Sequence, residues 1–382
     1  MTTASAARGP LAGVRVVELA ALGPAPFCAM LLADMGAEVL RIVPPHAVPA
    51  AFPVAELDDP IWRGRSRLVL DLKQPAARAQ LLEILQHAEI LIEGFRPGVM
   101  ERLGLAPQDC LGVNRRLVFG RMTGWGQDGP LAQAPGHDPN YLALTGALHA
   151  IGYPGQPPCQ PLNLVADFGG GALYLAVGVL AALLHARSTG AGQVVDAAMV
   201  DGATSLMSMA YTLFNHGHWR DERGANLLDG GAPYGRTYET ADGKYVVVCA
   251  LEPRFYAALI DALGLAGESL PAQLDRAGWP VLHERFAAIF RTRTRDDWEA
   301  RLKDTQACVT PVLSLKEAPA HPHNRARGVF VGEPPMPAAA PRFSATPTAH
   351  APRTERAAAE LLAAWGLPAP AVAAMTHPGA SP

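Results

Sequence analysis

Short apolar runs alternate with helix-period stretches through the first third of the chain. VRVVEL (14–19) reads as a buried strand, and the stretch around PFCAMLLADM, stopped by Gly36, reads as a helix. AEVLRIV (37–43), RLVLDL (67–72), EILIEGF (89–95) and LVFGRM (117–122) continue the strands, with a helix over QPAARAQLLEILQHA (74–88). Alternation at this spacing predicts an α/β fold built on a Rossmann-like, doubly wound parallel sheet. From Asp167 to about Gly217 the pattern is mainly helical, interrupted by QVVDAAM (193–199). The polar, Gly-rich NHGHWRDERGANLLDGGAP then reads as a linker. GRTYETADGKYVVVCAL predicts a hairpin around Ala241-Asp242-Gly243, followed by helical runs in PRFYAALIDALGL and LHERFAAIFRTRTRDDWEARL. The pattern therefore divides the chain into a large α/β domain over 1–217 and a smaller α+β domain with its linkers over 218–329. Residues 330–382 return to the first domain; EPPMPAAAPRFSATPTAHAPR is too proline-rich for core elements, and TERAAAELLAAWGL (354–367) is the last helix.

A length of 382 residues supports two or three domains. With 49% apolar and 18% charged residues the chain is globular rather than disordered. A net charge of −3, with Lys and Arg scattered, excludes the basic stripe that nucleic-acid binding needs. Cys28, Cys110, Cys159, Cys249 and Cys308 are far apart and without zinc spacing, so they read as reduced thiols. MTTASAARGPLAG lacks the apolar core of a signal peptide, LYLAVGVLAALL is too short to span a membrane, and HPGASP is not a peroxisomal address. The expectation is a cytoplasmic protein without nucleic-acid or membrane partners.

Proton-handling residues concentrate at two places. In GHDPNYLALTGAL (136–148) a histidine, an aspartate, an asparagine and a tyrosine precede a helix whose Leu142, Leu144 and Leu148 suit a buried face. A helix N-terminus disfavours imidazolium, which would leave His137 neutral and able to accept a proton; His137 or Asp138 could equally serve only as a cap. In NLVADFGGGALYLAVGVLAALL, Asp167 stands at the mouth of an apolar helix, followed by Gly169, Gly170 and Gly171. Free N–H groups there could hold an oxyanion, and apolar surroundings would raise the carboxyl pKa; the bland reading is an N-cap with glycines for tight packing. Glu252, in CALEPRF, is either an exposed N-cap or an orienting partner for His137. His216, His218, His321 and His323 lack a third ligand and read as solvated loops, and no metal site is expected. GxGxxG, P-loop and GxSxG motifs are missing, which weighs against dinucleotide binding, a kinase and a serine hydrolase.

PLAGVRVVELA, ADMGAEVLRI, RLVLDLK, EGFRPGVMERLGL, GWGQDGP, GHDPNYLALTGAL, NLVADFGGGA, LLDGGAPYGRTYETADGKY and HPHNRARG together resemble the family III CoA-transferases of the CaiB/BaiF superfamily, from about Pro10 to Val331. Within that family they resemble the branch that racemises 2-methylacyl-CoA thioesters. The resemblance implies that His137 and Asp167 are the two acid/base groups and that Glu252 hydrogen-bonds the histidine. It implies that Arg41, Leu72, Lys73, Gly94, Phe95, Arg96 and Arg102 contact CoA, where basic side chains suit phosphates. Gly136, Asp138, Asn140, Tyr141 and Asn163 are expected to line or support the substrate site. It further implies an interlocked homodimer whose active site joins one subunit's large domain to the other's small domain, with acyl-CoA as substrate and no separate cofactor. The sequence departs from the pattern at Pro139, where a branched aliphatic residue is usual, and in the irregular PPHAVPAAFPVAELDDPIW. The rival reading is a CoA-transferase in which Asp167 attacks a thioester. The histidine of GHD and the short DGGAP at 229–233 favour racemisation. A non-catalytic acyl-CoA-binding protein, from a third class, would be signalled by loss of His137 or Asp167, and both are present.

Overall fold

The computed structural model describes residues 9–45, 60–348 and 356–376. The N-terminal MTTASAAR, most of the irregular loop before Trp62, the first residues of the last predicted helix and the terminal HPGASP lie outside the described residues.

Two compact units form, one from Met1–Thr145, Leu162–Leu206 and Val331–Pro382, the other from Gly146–Pro161 and Met207–Phe330. Residues 146–161 and 207–217, read from the sequence as part of the large domain, group with the second unit. Within that unit the Arg223 guanidinium donates to the carbonyls of His149 and Gln156, which ties the two segments together.

The first unit carries a six-stranded sheet of β1 (Arg15–Leu19), β2 (Glu38–Val43), β3 (Arg65–Val69), β4 (Ile90–Glu93), β5 (Val118–Thr123) and β6 (Gln193–Ala198). Every neighbouring pair is parallel and the order is β3-β2-β1-β4-β5-β6, the doubly wound arrangement expected from the alternation. Strand β3 begins two residues earlier than RLVLDL suggests. Arg65 and Ser66, polar in sequence, are buried there and find partners in the Pro26 and Arg356 carbonyls. Helices Pro24–Asp34 and Pro75–Leu85 open with proline in the first turn, where the missing N–H costs nothing. Helix Leu173–Thr189 packs on β5, with Val179 and Leu175 against Gly120. Together with the preceding turns it forms a stretch, Leu164–Thr189, long and apolar enough by length and composition to cross a membrane. Helices Ala358–Trp365 and Ala369–Thr376 close the far side of the sheet; the second is absent from the sequence reading. Trp365, 2% exposed, packs in one core with Leu81, Ile84 and Leu85, and its indole N–H donates to Glu38 at 2.9 Å.

The second unit holds an antiparallel sheet of β7 (Gly235–Glu239), β8 (Tyr245–Cys249) and β9 (Val309–Pro311), in that order. The predicted hairpin is β7–β8, and the short β9 adds an edge the sequence does not announce. LHERFAAIFRTRTRDDWEARL resolves into two helices, Trp279–Phe290 and Arg295–Leu302, because Thr294 caps the second by accepting the Asp297 N–H at 3.1 Å. Tyr238, Phe286, Phe290 and Trp298 form its aromatic core.

Candidate active site

The carboxyl ends of β1, β4 and β5 open onto one cavity of about 750 Å³ in the first unit. Strand order reverses between β1 and β4, so the connections leave in opposite directions and a crevice remains between them. Ala21, Leu22 and Gly23 follow β1 into its wall, Gly94 to Pro97 follow β4, and Gly124 and Trp125 follow β5. Gly136, His137 and Tyr141 supply another part of the wall, and Asn163, Asp167 and Phe168 a further part.

His137 is the N-cap of helix Asp138–Ala143 through its backbone, and its side chain makes no cap hydrogen bond. The cap is closed from the other direction: Asn140 Oδ1 accepts the His137 N–H at 3.0 Å, leaving the exposed imidazole to the cavity. The helix is shorter than the leucine spacing suggests. Leu142 is buried, but Leu144 is 62% exposed because the helix ends at Ala143.

Asp138 does not face the cavity. It is 2% exposed, and its Oδ2 accepts the N–H groups of Ala166 at 2.8 Å and Asp167 at 2.7 Å. One carboxylate thereby fastens the GHD motif to the DFGGG motif. The same bonds take two candidate donors away from an oxyanion: the Ala166 and Asp167 N–H groups already serve a buried carboxylate.

Asp167 is also not an N-cap. It lies in the first turn of a nine-residue π-helical segment, Leu164–Ala172, preceded by Asn163. The widened turn is where glycine is required. A Cβ on Gly170 would come within 2.5 Å of the Ala203 nitrogen, and one on Gly202 within 1.8 Å of the Gly170 oxygen. These two backbones touch, which seats the segment against helix Met199–Leu206. Gly23, at φ +71°, passes the carboxylate from the other direction; its Cβ would lie 3.4 Å from Asp167 Oδ2.

Burial pushes the Asp167 carboxyl up to about 6, and the Asp138 charge adds to the rise. A hydrogen bond from Asn163 and the nearby His137 pull in the opposite direction without cancelling it. Both forms of the carboxyl are therefore accessible near neutral pH, as proton exchange with a weak carbon acid requires.

The GFR turn is held from beneath. Glu93, fully buried at the end of β4, accepts the Phe95 N–H at 2.7 Å and the Arg121 guanidinium at 2.9 Å, and Arg121 also binds Glu101. Sequence reasoning passed over Glu93 and Arg121, although a glutamate closing the apolar ILIE and an arginine inside VFGRM are visible signals. Tyr141 donates to the Gly136 carbonyl and meets the edge of Trp125 at 4.8 Å.

Of the residues singled out in the sequence, Gly94, Phe95, Arg96, Gly136, His137, Tyr141, Asn163 and Asp167 line the cavity. Arg41, Leu72, Lys73, Arg102, Asp138 and Asn140 do not. Leu72 packs against the core, Lys73 lies exposed on the turn after β3, and Arg102 is exposed at the end of helix Val99–Arg102. Trp62, Trp125, Phe168, Met122 and Met199 are wall residues the sequence reading missed. Glu252 belongs to the second unit, where it is the exposed N-cap of helix Pro253–Ala262. Among the described residues, no three His, Cys, Asp or Glu side chains converge on a metal site.

The model of CoA-transferase family III matches residues 11–356. A mouse protein named alpha-methylacyl-CoA racemase is 46% identical over 340 residues, 88% of this chain and 87% of its own length. A human protein of the same name is 46% identical over 321 residues, 84% and 82% of the two chains. A crystal structure of a Mycobacterium tuberculosis protein superposes with a TM-score of 0.75 at 26% identity, covering 92% of this chain and 97% of its own.

Proposed function

The chain belongs to CoA-transferase family III, and we propose that within it the protein is an α-methylacyl-CoA racemase, interconverting (R)- and (S)-2-methylacyl-CoA thioesters. The α-proton of a thioester is acidic because the resulting carbanion delocalises into an enolate. Racemisation needs one group to remove that proton from one face and a second, protonated group to return one on the other. The observation that carries this reading is that His137 and Asp167 line one cavity, with the Asp167 pKa raised to about 6. In each turnover one of the pair takes the proton and the other gives one up, so the enzyme finishes in the opposite protonation arrangement. Asn163 steadies the carboxylate, and Asn140 holds the His137 backbone N–H.

The CoA moiety is assigned to the GFR turn, Gly94, Phe95 and Arg96, and to the outer residues Arg41, Leu72, Lys73 and Arg102. The active species is proposed to be a homodimer in which Glu252 of one subunit supports His137 of the other. Mixing His137→Ala with Glu252→Ala subunits then restores activity that neither variant has alone; failure to complement removes the shared site.

The test of the reaction is incubation of one enantiomer of 2-methyldecanoyl-CoA in D2O. Deuterium enters Cα as optical purity is lost, and His137→Ala or Asp167→Ala slows exchange by at least ~10²-fold, as expected for loss of a general acid or base. Transfer of CoA to added succinate or oxalate without α-exchange would replace this reading with a transferase using Asp167 as nucleophile.

A further inference from the structure

Three adjacent strands contribute one ionisable side chain each to a cluster beside the cavity. Glu18 on β1 is fully buried; its Oε2 lies 3.1 Å from Nε of Arg65 on β3, and its Oε1 lies 3.9 Å from Nε of Arg41 on β2. Glu18 and Arg41 face each other directly in the parallel ladder. On the other side, the Arg41 guanidinium lies 3.8 Å from the centroid of the Trp62 ring, with that of Arg65 at 5.5 Å. Trp62, in the short 3₁₀ turn Pro60–Trp62, is itself a wall residue of the cavity that holds His137 and Asp167. Arg41 is thus gripped between a carboxylate rooted in the sheet and an aromatic face at the cavity. Its own side chain keeps 20% of its surface exposed.

An arginine that must meet a phosphate gains from being fixed in advance, since ordering a long side chain on binding costs affinity. A guanidinium stacked on an indole is held in one plane, which fixes the direction of its N–H groups. We propose that Trp62 is a positioning residue for the nucleotide end of the coenzyme: it clamps Arg41 from the cavity side while Glu18 anchors it from the sheet. The inference rests on the acyl-CoA reading above. It assigns the effect of Trp62 to binding of the nucleotide and none to the proton-transfer step.

The test separates coenzyme binding from chemistry. Trp62→Ala weakens calorimetric binding of free CoA and raises KM for 2-methylacyl-CoA by about tenfold, with kcat within about twofold of wild type, as loss of a partly desolvated cation–π contact implies. Trp62→Phe, which keeps a π face, restores most of the loss. Trp62→Leu, which keeps only apolar bulk, does not, and it replaces the alanine variant should that one melt early. On the corresponding N-acetylcysteamine thioester, which lacks the nucleotide, the variants lose much less than on the CoA thioester. Equal CoA binding by wild type and Trp62→Leu overturns the proposal, as does equal behaviour of Phe and Leu or a matching loss on the truncated thioester. A wild-type protein that binds no CoA at all would instead sink the acyl-CoA reading on which the proposal stands.

Discussion

Asp138 lies behind the cavity wall, bonded to the backbone of Ala166 and Asp167, and its charge helps to keep the Asp167 carboxyl protonated to higher pH. Removing a negative neighbour favours the ionised form, so Asp138→Asn lowers the Asp167 pKa. The proposed reaction needs one proton shared by His137 and Asp167. The limb of the exchange-versus-pH profile that Asp167 sets therefore moves to lower pH in Asp138→Asn; an unmoved profile shows that Asp138 acts only by geometry. The raised value also bears on stability. Because the folded pKa of Asp167 exceeds the ordinary 3.8, the stabilising contribution of its neutral form is complete below about pH 3.8 and lost as pH rises through about 6. At pH 7 the buried carboxylate is a cost, which Asp167→Asn removes. That variant is expected to gain on the order of 1 kcal/mol in urea unfolding at pH 7, with no gain at pH 3.5, while losing exchange activity. At this scale much was legible in the sequence: His137 and Asp167 stand in compact motifs. The task of Asp138 was not, because it depends on a residue nearly thirty positions away presenting its backbone to it.

In the π-helical turn around Asp167 the backbone at Gly170 meets that at Gly202. Gly202→Ala places a methyl group 1.8 Å from the Gly170 oxygen, so helix Met199–Leu206 must retreat and take the Asp167 segment with it. The expected outcome is a loss of 1–3 kcal/mol or more in thermal unfolding, roughly the range for overpacking, together with lost exchange. Gly112, in helix Pro107–Val113, has open space where its Cβ would go. Gly112→Ala is expected to stabilise by about 0.5–1 kcal/mol with exchange unchanged. The three glycines after Asp167 did announce close packing in the sequence. The partner of that packing could not be read there, because it is Gly202, beyond an intervening helix and strand. The central strands β1, β2, β4 and β5 were legible because strands buried on both faces leave continuous apolar runs, whereas β6 exposes Gln193, Val194 and Asp196 and shows in the sequence only as a break in the helical pattern. Only β3 began early, where Arg65 and Ser66 satisfy their polarity through carbonyl partners no periodicity describes.

At the scale of the whole molecule, the alternation of strands and helices led directly to the doubly wound order, whereas the limits of the two units did not follow from it. Residues 146–161 look like a continuation of the first unit because nothing local marks their attachment to Arg223, more than sixty positions later. The first unit likewise depends on a distant segment. Trp365→Ala is expected to cost ~3–5 kcal/mol in calorimetric unfolding, the range for emptying a large aromatic site; it also removes the indole N–H from Glu38, which keeps Arg356. A loss below about 1 kcal/mol would mean that the core does not rely on this side chain.

That dependence has a consequence for how the protein is made. Translation delivers the six strands first and the helices bearing Leu361, Leu362, Trp365, Val372 and Met375 last. Until those helices emerge, the nascent sheet waits with Leu81, Ile84 and Leu85 deprived of their final cover. A chain cut before Leu361 is therefore expected to leave this apolar surface open and to aggregate on expression rather than fold.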